Sequence, residues 1–151
     1  MALTLRTTAL GTGNSLADLA FANAYFTERS IAAWTGADAV KEAALIRATD
    51  YIDARFSERY TDELLELEEV PVKLSRACCE YALRALTITL APDPVVDESG
   101  ATVVTVKSKL GPLEEAFQVL SNGTVKTLRA YPAADMLIAP YLNTFQGRVI
   151  R

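Results

Sequence analysis

The side chains that most often do chemistry in proteins are sparse in this sequence, and one of them is missing. There is no histidine among the 151 residues. That removes the usual general base, a common metal ligand and every Ser-His or Cys-His nucleophile pair. The two cysteines, Cys78 and Cys79, are adjacent. Neighbours on a helix point about 100° apart, so these make poor disulfide partners and read as reduced core residues. The densest carboxylate group is Glu58, Asp62, Glu63, Glu66, Glu68 and Glu69. A carboxylate metal site would be sought there, but the run lacks the glycine-punctuated loop of a calcium site and reads as a solvated acidic face. Nothing marks Glu68 and Glu69, or Glu114 and Glu115, as opposed carboxylates of a glycosidase-like cleft. Gly11-Thr12-Gly13 lacks the lysine of a P-loop, and the third glycine and preceding buried strand of a dinucleotide fold. It reads as part of a flexible arm entering a helix. Asn122-Gly123-Thr124 matches a glycosylation acceptor, yet without a secretory signal it is only a turn. Neither enzymatic activity nor a bound cofactor or metal is expected.

Nucleic-acid binding calls for basic residues interleaved with exposed aromatics. The nearest approach is Lys107, Lys109, Phe117, Lys126, Arg129 and Tyr131, a modest patch that an ordinary solvated sheet face would also produce. The net charge of −4 argues against coating nucleic acid as the main task. The charge is unevenly spread: residues 1–100 carry 9 basic and 16 acidic side chains, and residues 101–151 carry 6 basic and 3 acidic. Such asymmetry suits self-association or docking on a charged partner.

With 50% hydrophobic and 23% charged residues, the chain is expected to fold as one domain. The longest apolar candidate for a membrane span, Ala77 to Ala91, is interrupted by Glu80 and Arg84. The N-terminus lacks the order of a signal peptide, so synthesis in the cytosol is expected. The pattern predicts a mainly α fold, a bundle of about four helices with a small antiparallel β-hairpin or meander in the C-terminal third. Residues 1–13 form an arm and 14–91 the helical core. The first helix starts at Asn14-Ser15, with Asp18 completing a capping box. A connection from Ser30 to Gly36 carries Trp34. The second helix spans 37–56, with Val40, Ala44, Leu45, Ala48, Ile52 and Phe56 on its apolar side. The acidic stretch 58–69 is a short helix or loop. Pro71 opens a long helix over 71–91, whose apolar end after Ala85 is either core or a subunit contact. Alternation then gives strands at 102–109, 113–120 and 125–128 within a meander at 102–129, with Asn122-Gly123 as a hairpin turn. Pro132 opens a short helix over 132–142, and 143–151 is an extended tail.

The order of these features resembles the head-completion or head–tail adaptor (connector) proteins of tailed bacteriophages. Some similar chains carry the label of a DnaT-like single-stranded-DNA-binding protein. The likeness begins at Ser15-Leu16-Ala17-Asp18 and Asn23-Ala24-Tyr25-Phe26. It continues through Ala33-Trp34 to its most specific piece, the run from Lys41 to Asp53 (KEAALIRATDYID). Cys79 to Leu86 is similar to that family's core helix, Lys107 to Glu114 to its hairpin, and Tyr131 to Leu142 to its closing helix. One departure is the short acidic stretch 57–70, where relatives often carry a longer segment with tryptophan and proline.

The resemblance implies a non-enzymatic subunit at the head–tail junction of the virion, made in the host cytoplasm. Copies would assemble as a dodecameric ring beneath the portal protein, extend the channel around packaged DNA without reading its sequence, and meet a downstream neck, stopper or tail-completion protein. No membrane is involved. Phe145, Arg148, Val149, Ile150 and Arg151 are then candidate contacts to the portal or to a neighbouring subunit, as an added strand or as a strand of the chain's own domain. Lys107 and Lys109 are candidates for facing the channel or the neck protein. The alternative is a single-stranded-DNA-binding module.

Overall fold

A computed structural model describes residues 3–6, 13–91, 102–110, 113–121 and 131–143. The chain divides into two compact units, residues 1–90 with 130–151, and residues 91–129. The described part of the first unit is helical. Its elements are α1 (Leu19–Glu28), α2 (Asp38–Phe56), the single-turn α3 (Asp62–Leu65), α4 (Val72–Ala85) and α5 (Pro132–Ile138). Short 3-10 turns follow α2 (Ser57–Arg59) and α5 (Ala139–Tyr141). The mainly α character predicted from periodicity is observed.

The core is built where α4 packs against α2 and α5 packs against α4. Small side chains lie on the facing sides, Ala44 and Ala48 from α2 and Ala77, Cys78 and Ala82 from α4, all fully buried. They allow close approach of the helices, while Leu45, Ile52, Leu74, Tyr81 and Ile138 fill the space around them. Val40, expected on the apolar side of α2, is exposed, because it lies in the first turn before the buried stretch from Ala44 onward.

Helix ends differ from the sequence reading in instructive ways. The first helix starts at Leu19 rather than at Asn14-Ser15, and Asp18 is its N-cap, with Oδ1 accepting from Phe21 N at 2.6 Å. Ser15 is instead buried, its hydroxyl turned back to Ala17 O at 2.7 Å. The helix over 71–91 stops at Ala85. Thr87 Oγ1 bonds back to Arg84 O at 3.4 Å, and the β-branched Thr87-Ile88-Thr89 run favours departure from the helix. The segment 132–142 changes to a 3-10 turn at Ala139, because Pro140 has no N–H to continue the α pattern.

The N-terminal residues read as a flexible arm are tied down where they are described. Arg6 N donates to Ser15 O and Asn14 N to Thr4 O, at 2.9 and 2.8 Å. The Arg6 guanidinium grips both carboxylate oxygens of Asp53 on α2, at 2.7 and 3.3 Å, and also reaches Gly13 O at 2.8 Å. Gly13 permits this closeness, since a Cβ there would sit 2.5 Å from Arg6 N and from Leu5 C.

In the second unit, β1 (Thr102–Leu110) and β2 (Leu113–Ser121) pair antiparallel, from Thr102 opposite Ser121 to Leu110 opposite Leu113. The Asn122-Gly123 turn and the strand expected at 125–128 lie outside the described residues, as do 144–151 of the C-terminal tail.

Helix α1 ends in a Schellman arrangement: Ile31 N donates to Phe26 O and Ser30 N to Thr27 O, both at 3.0 Å. Ser30 takes the left-handed position at φ 54°, where glycine is usual. The strain on a non-glycine residue there exceeds the extra chain entropy glycine brings to the unfolded state. Ser30→Gly should therefore raise stability by about 0.5 kcal/mol, read as a higher midpoint in urea unfolding. A lower midpoint would contradict this account of the helix end.

Candidate functional site

Three groupings of side chains in the first unit could do more than fill space. The first lies between α2, α4 and α5. Arg55 from α2 meets Asp135 from α5 with both nitrogens at 3.1 Å, and Nη1 also donates to Tyr51 Oη at 3.2 Å. Tyr81 from α4 donates to the same carboxylate, and Tyr131 N donates to Asp135 Oδ2 at 3.3 Å. The rings of Tyr51, Tyr81 and Tyr131 pack edge-on or tilted at 5.1–6.2 Å, and the Arg84 guanidinium lies 5.5 Å from the Tyr131 centroid. Arg55, Asp135 and the hydroxyls of Tyr51 and Tyr81 engage one another, while Tyr131 joins through its ring and its backbone N–H. Burial, followed by the bond to Asp135, pushes the Tyr81 phenol upward, and burial does the same for Tyr51. The cluster fastens three helices together.

The second grouping is a groove of about 480 Å³ beside the α1–α2 connection, lined by Asn23, Phe26, Ile31, Trp34 and Lys41 among others. The Phe26 and Trp34 rings stack at 4.7 Å. Trp34 Nε1 donates to Asn23 Oδ1 at 2.8 Å, and Lys41 Nζ approaches the same oxygen at 3.4 Å. Trp34 and Phe26 are buried, so their faces are spent on each other rather than offered to a ligand. Close by on α1, Tyr25 donates to Glu80 Oε1 at 2.9 Å beneath the Arg29 guanidinium, 3.7 Å from its ring centroid. Burial and then Glu80 push the Tyr25 phenol up to about 12.

The third is on the surface. Leu65, Leu67 and Val72 are 42, 42 and 55% exposed, amid the exposed acids Asp62, Glu63, Glu66, Glu68 and Glu69. No ion pair engages any of these acids among the described residues. Thr61 caps the turn, accepting from Leu64 N at 3.3 Å, and Leu64 is buried as its anchor. The strip therefore stands on a fixed base.

Among the described residues no group of three His, Cys, Asp or Glu side chains could hold a metal ion, and no helix is long and apolar enough to cross a membrane. Cys78 and Cys79 are free and buried. Burial pushes the Cys78 thiol up to about 11 and raises that of Cys79 as well.

Of the residues singled out in the sequence, Lys107 and Lys109 lie on β1, opposite Ala116 and Glu114 of β2. Phe145, Arg148, Val149, Ile150 and Arg151 lie outside the described residues. Tyr131, grouped in sequence with the strand lysines as a candidate nucleic-acid contact, packs instead on Tyr51 and Tyr81. No aromatic side chain described in the first unit is exposed. The sequence reading missed the Arg55–Asp135 pair, whose members are 80 positions apart. It also missed the exposed Leu65, Leu67 and Val72, for which leucines amid six acids were the available signal.

A family model described as "Putative DnaT-like ssDNA binding protein" matches residues 1–64, which take in the N-terminal segment, α1, α2 and most of α3. No curated protein and no solved structure matches the chain.

Two outcomes follow. Asp135→Ala removes the acceptor shared by Arg55, Tyr81 and Tyr131 N, and should cost about 2–3 kcal/mol in denaturant unfolding. A loss below about 0.5 kcal/mol would show that the cluster does not fasten the helices. The second outcome concerns alkaline pH. The raised thiols and phenols bind protons more tightly in the folded than in the unfolded chain, so their contribution is complete below the unfolded values and lost as pH rises through the folded ones. Stability should start to fall above about pH 9, where unfolded thiols titrate, and fall faster above about pH 10, where unfolded tyrosines join them. Equal urea midpoints at about pH 8 and about pH 10.5 would contradict this.

Proposed function

We propose that the chain is a structural head–tail connector subunit of a tailed bacteriophage. On this reading it assembles with copies of itself beneath the portal, extends the DNA channel, and presents a surface to the next neck or tail protein. Residues 102–129 form a meander that faces the channel or that neck protein, with Lys107 and Lys109 as its contacts. The ordered sequence resemblance supports the reading. The structural observation that carries it is the partition of side chains in the first unit. The described aromatic rings are turned inward or half-buried, the Arg55–Asp135 pair joins α2 to α5, and the exposed groups include an apolar strip framed by acids. Such a surface suits docking onto another protein.

The second reading, a single-stranded-DNA-binding module, is favoured by the description of the family that matches residues 1–64. Against it stand the net charge of −4 and the absence of an exposed aromatic ring among the side chains described in the first unit.

The mass of the purified chain, alone and then mixed with a portal, separates the two. The connector reading expects a ring, or a monomer that assembles on the portal. A monomer indifferent to the portal, yet held on single-stranded DNA with affinity that falls steeply with salt, would replace it with the second reading.

A further inference from the structure

We infer that Leu65, Leu67 and Val72, with Glu66, Glu68 and Glu69 around them, form a seat for residues 144–151 of a second copy of the chain. The inference builds on the reading that copies of the subunit assemble, and it names the two surfaces that meet.

The seat and its occupant are complementary. Residues 144–151 read Thr-Phe-Gln-Gly-Arg-Val-Ile-Arg: three large apolar side chains, two arginines and no acid. The strip offers the converse, three exposed aliphatic side chains and carboxylates in no ion pair among the described residues. Burying the aliphatic groups against Phe145, Val149 and Ile150 would remove apolar surface from water. The guanidiniums of Arg148 and Arg151 fit carboxylates in a forked geometry.

The backbone says which copy supplies the segment. Leu142 bridges Tyr60 antiparallel. Thr61 N donates to Tyr141 O at 3.0 Å, and Asn143 N donates to Arg59 O at 2.7 Å. Asn143 Nδ2 adds a bond to Tyr60 O at 3.1 Å. The pairing thus runs 141 with 61, 142 with 60 and 143 with 59. At Asn143 the chain is travelling opposite to the direction in which residues 59–61 run into α3 and the strip. It sets out away from its own Leu65–Val72 seat. Eight residues can span at most roughly 26–29 Å, which bounds how far the seat of the adjacent copy lies from Asn143. Each subunit then gives one segment and receives one. That is a heterologous contact, which closes into a ring when the rotation between copies permits.

Charge reversal in the full-length chain tests this by sedimentation velocity. Arg148→Glu with Arg151→Glu should weaken self-association at least tenfold, and so should Glu66→Arg with Glu69→Arg. All four positions can be changed without touching a described core residue. A one-to-one mixture of the two double variants should recover association, because every contact between unlike copies is again matched in sign. The quadruple variant should recover it too. Recovery in the quadruple variant but not in the mixture would place the segment on its own subunit and overturn the inference. So would a wild-type chain that stays monomeric at the highest attainable concentration. Wild-type rings on the portal that are indifferent to all these substitutions would sink the seat and leave the connector reading standing. Recovery by charge matching in a chain that ignores the portal would do the reverse.

Discussion

The first unit depends on how the backbone at Leu16 is held. Its N–H donates to Thr49 Oγ1 on α2 at 3.0 Å, and its carbonyl accepts from Ser75 Oγ on α4 at 2.8 Å. Ser15, Thr49 and Ser75 are the buried polar residues among those described, and all three serve this one crossing. A backbone segment driven between two helices would otherwise leave a buried donor and acceptor unmatched, at a cost of about 1–3 kcal/mol for each. With both satisfied, Leu16 itself can be fully buried. Thr49 Oγ1 also lies 3.4 Å from Cys78 Sγ, so the same hydroxyl ties α2 to α4. The Arg6–Asp53 pair and the close approach at Gly13 then hold residues 3–6 in register with that crossing.

This crossing also explains which parts of the fold could be read from sequence. The spacing of Ala44, Leu45, Ala48, Ile52 and Phe56 marks the buried side of α2, because packing against α4 asks only for apolar groups at helical intervals. Thr49 sits among them, and nothing in a periodic pattern says that a threonine there is spoken for by a backbone 33 residues away. For the same reason α1 begins later than its signals suggest. Asn14, Ser15 and Asp18 are all competent caps, and the choice of Asp18 follows from the need to keep residues 15–17 out of the helix through the crossing. The end of α1 at Ser30 carries no glycine to announce it. Tyr131 lies near Lys126 and Arg129 along the chain, whereas its neighbours in the fold, Tyr51 and Tyr81, come from α2 and α4.

The candidate sites divide along the same line. Residues whose role is local, such as the buried cysteines and the acidic stretch after α2, were legible from composition. Roles that depend on distant segments meeting were not. Arg55 lies off the apolar side of α2 marked by periodicity, yet it pairs with Asp135 on α5. The exposure of Leu65 and Leu67 turns on Leu64, which takes the one inward position that the single turn of α3 provides. That short turn leaves its other leucines outside.

The placement of residues 91–129 has a consequence for how such a chain can diverge. The first unit closes on both flanks of this segment. Leu90 is buried before it, and Tyr131 is packed against Tyr81 and beneath Arg84 after it. The two attachment points are therefore held by α4 and α5, whatever lies between them. The entropic cost of closing a chain excursion grows only by about 0.6 kcal/mol for each doubling of its length. Insertions, deletions or wholesale replacement between α4 and α5 are thus cheap for the helical unit to absorb. Variation among homologous chains should accumulate there, while the spacing from Leu16 to Thr49 stays fixed.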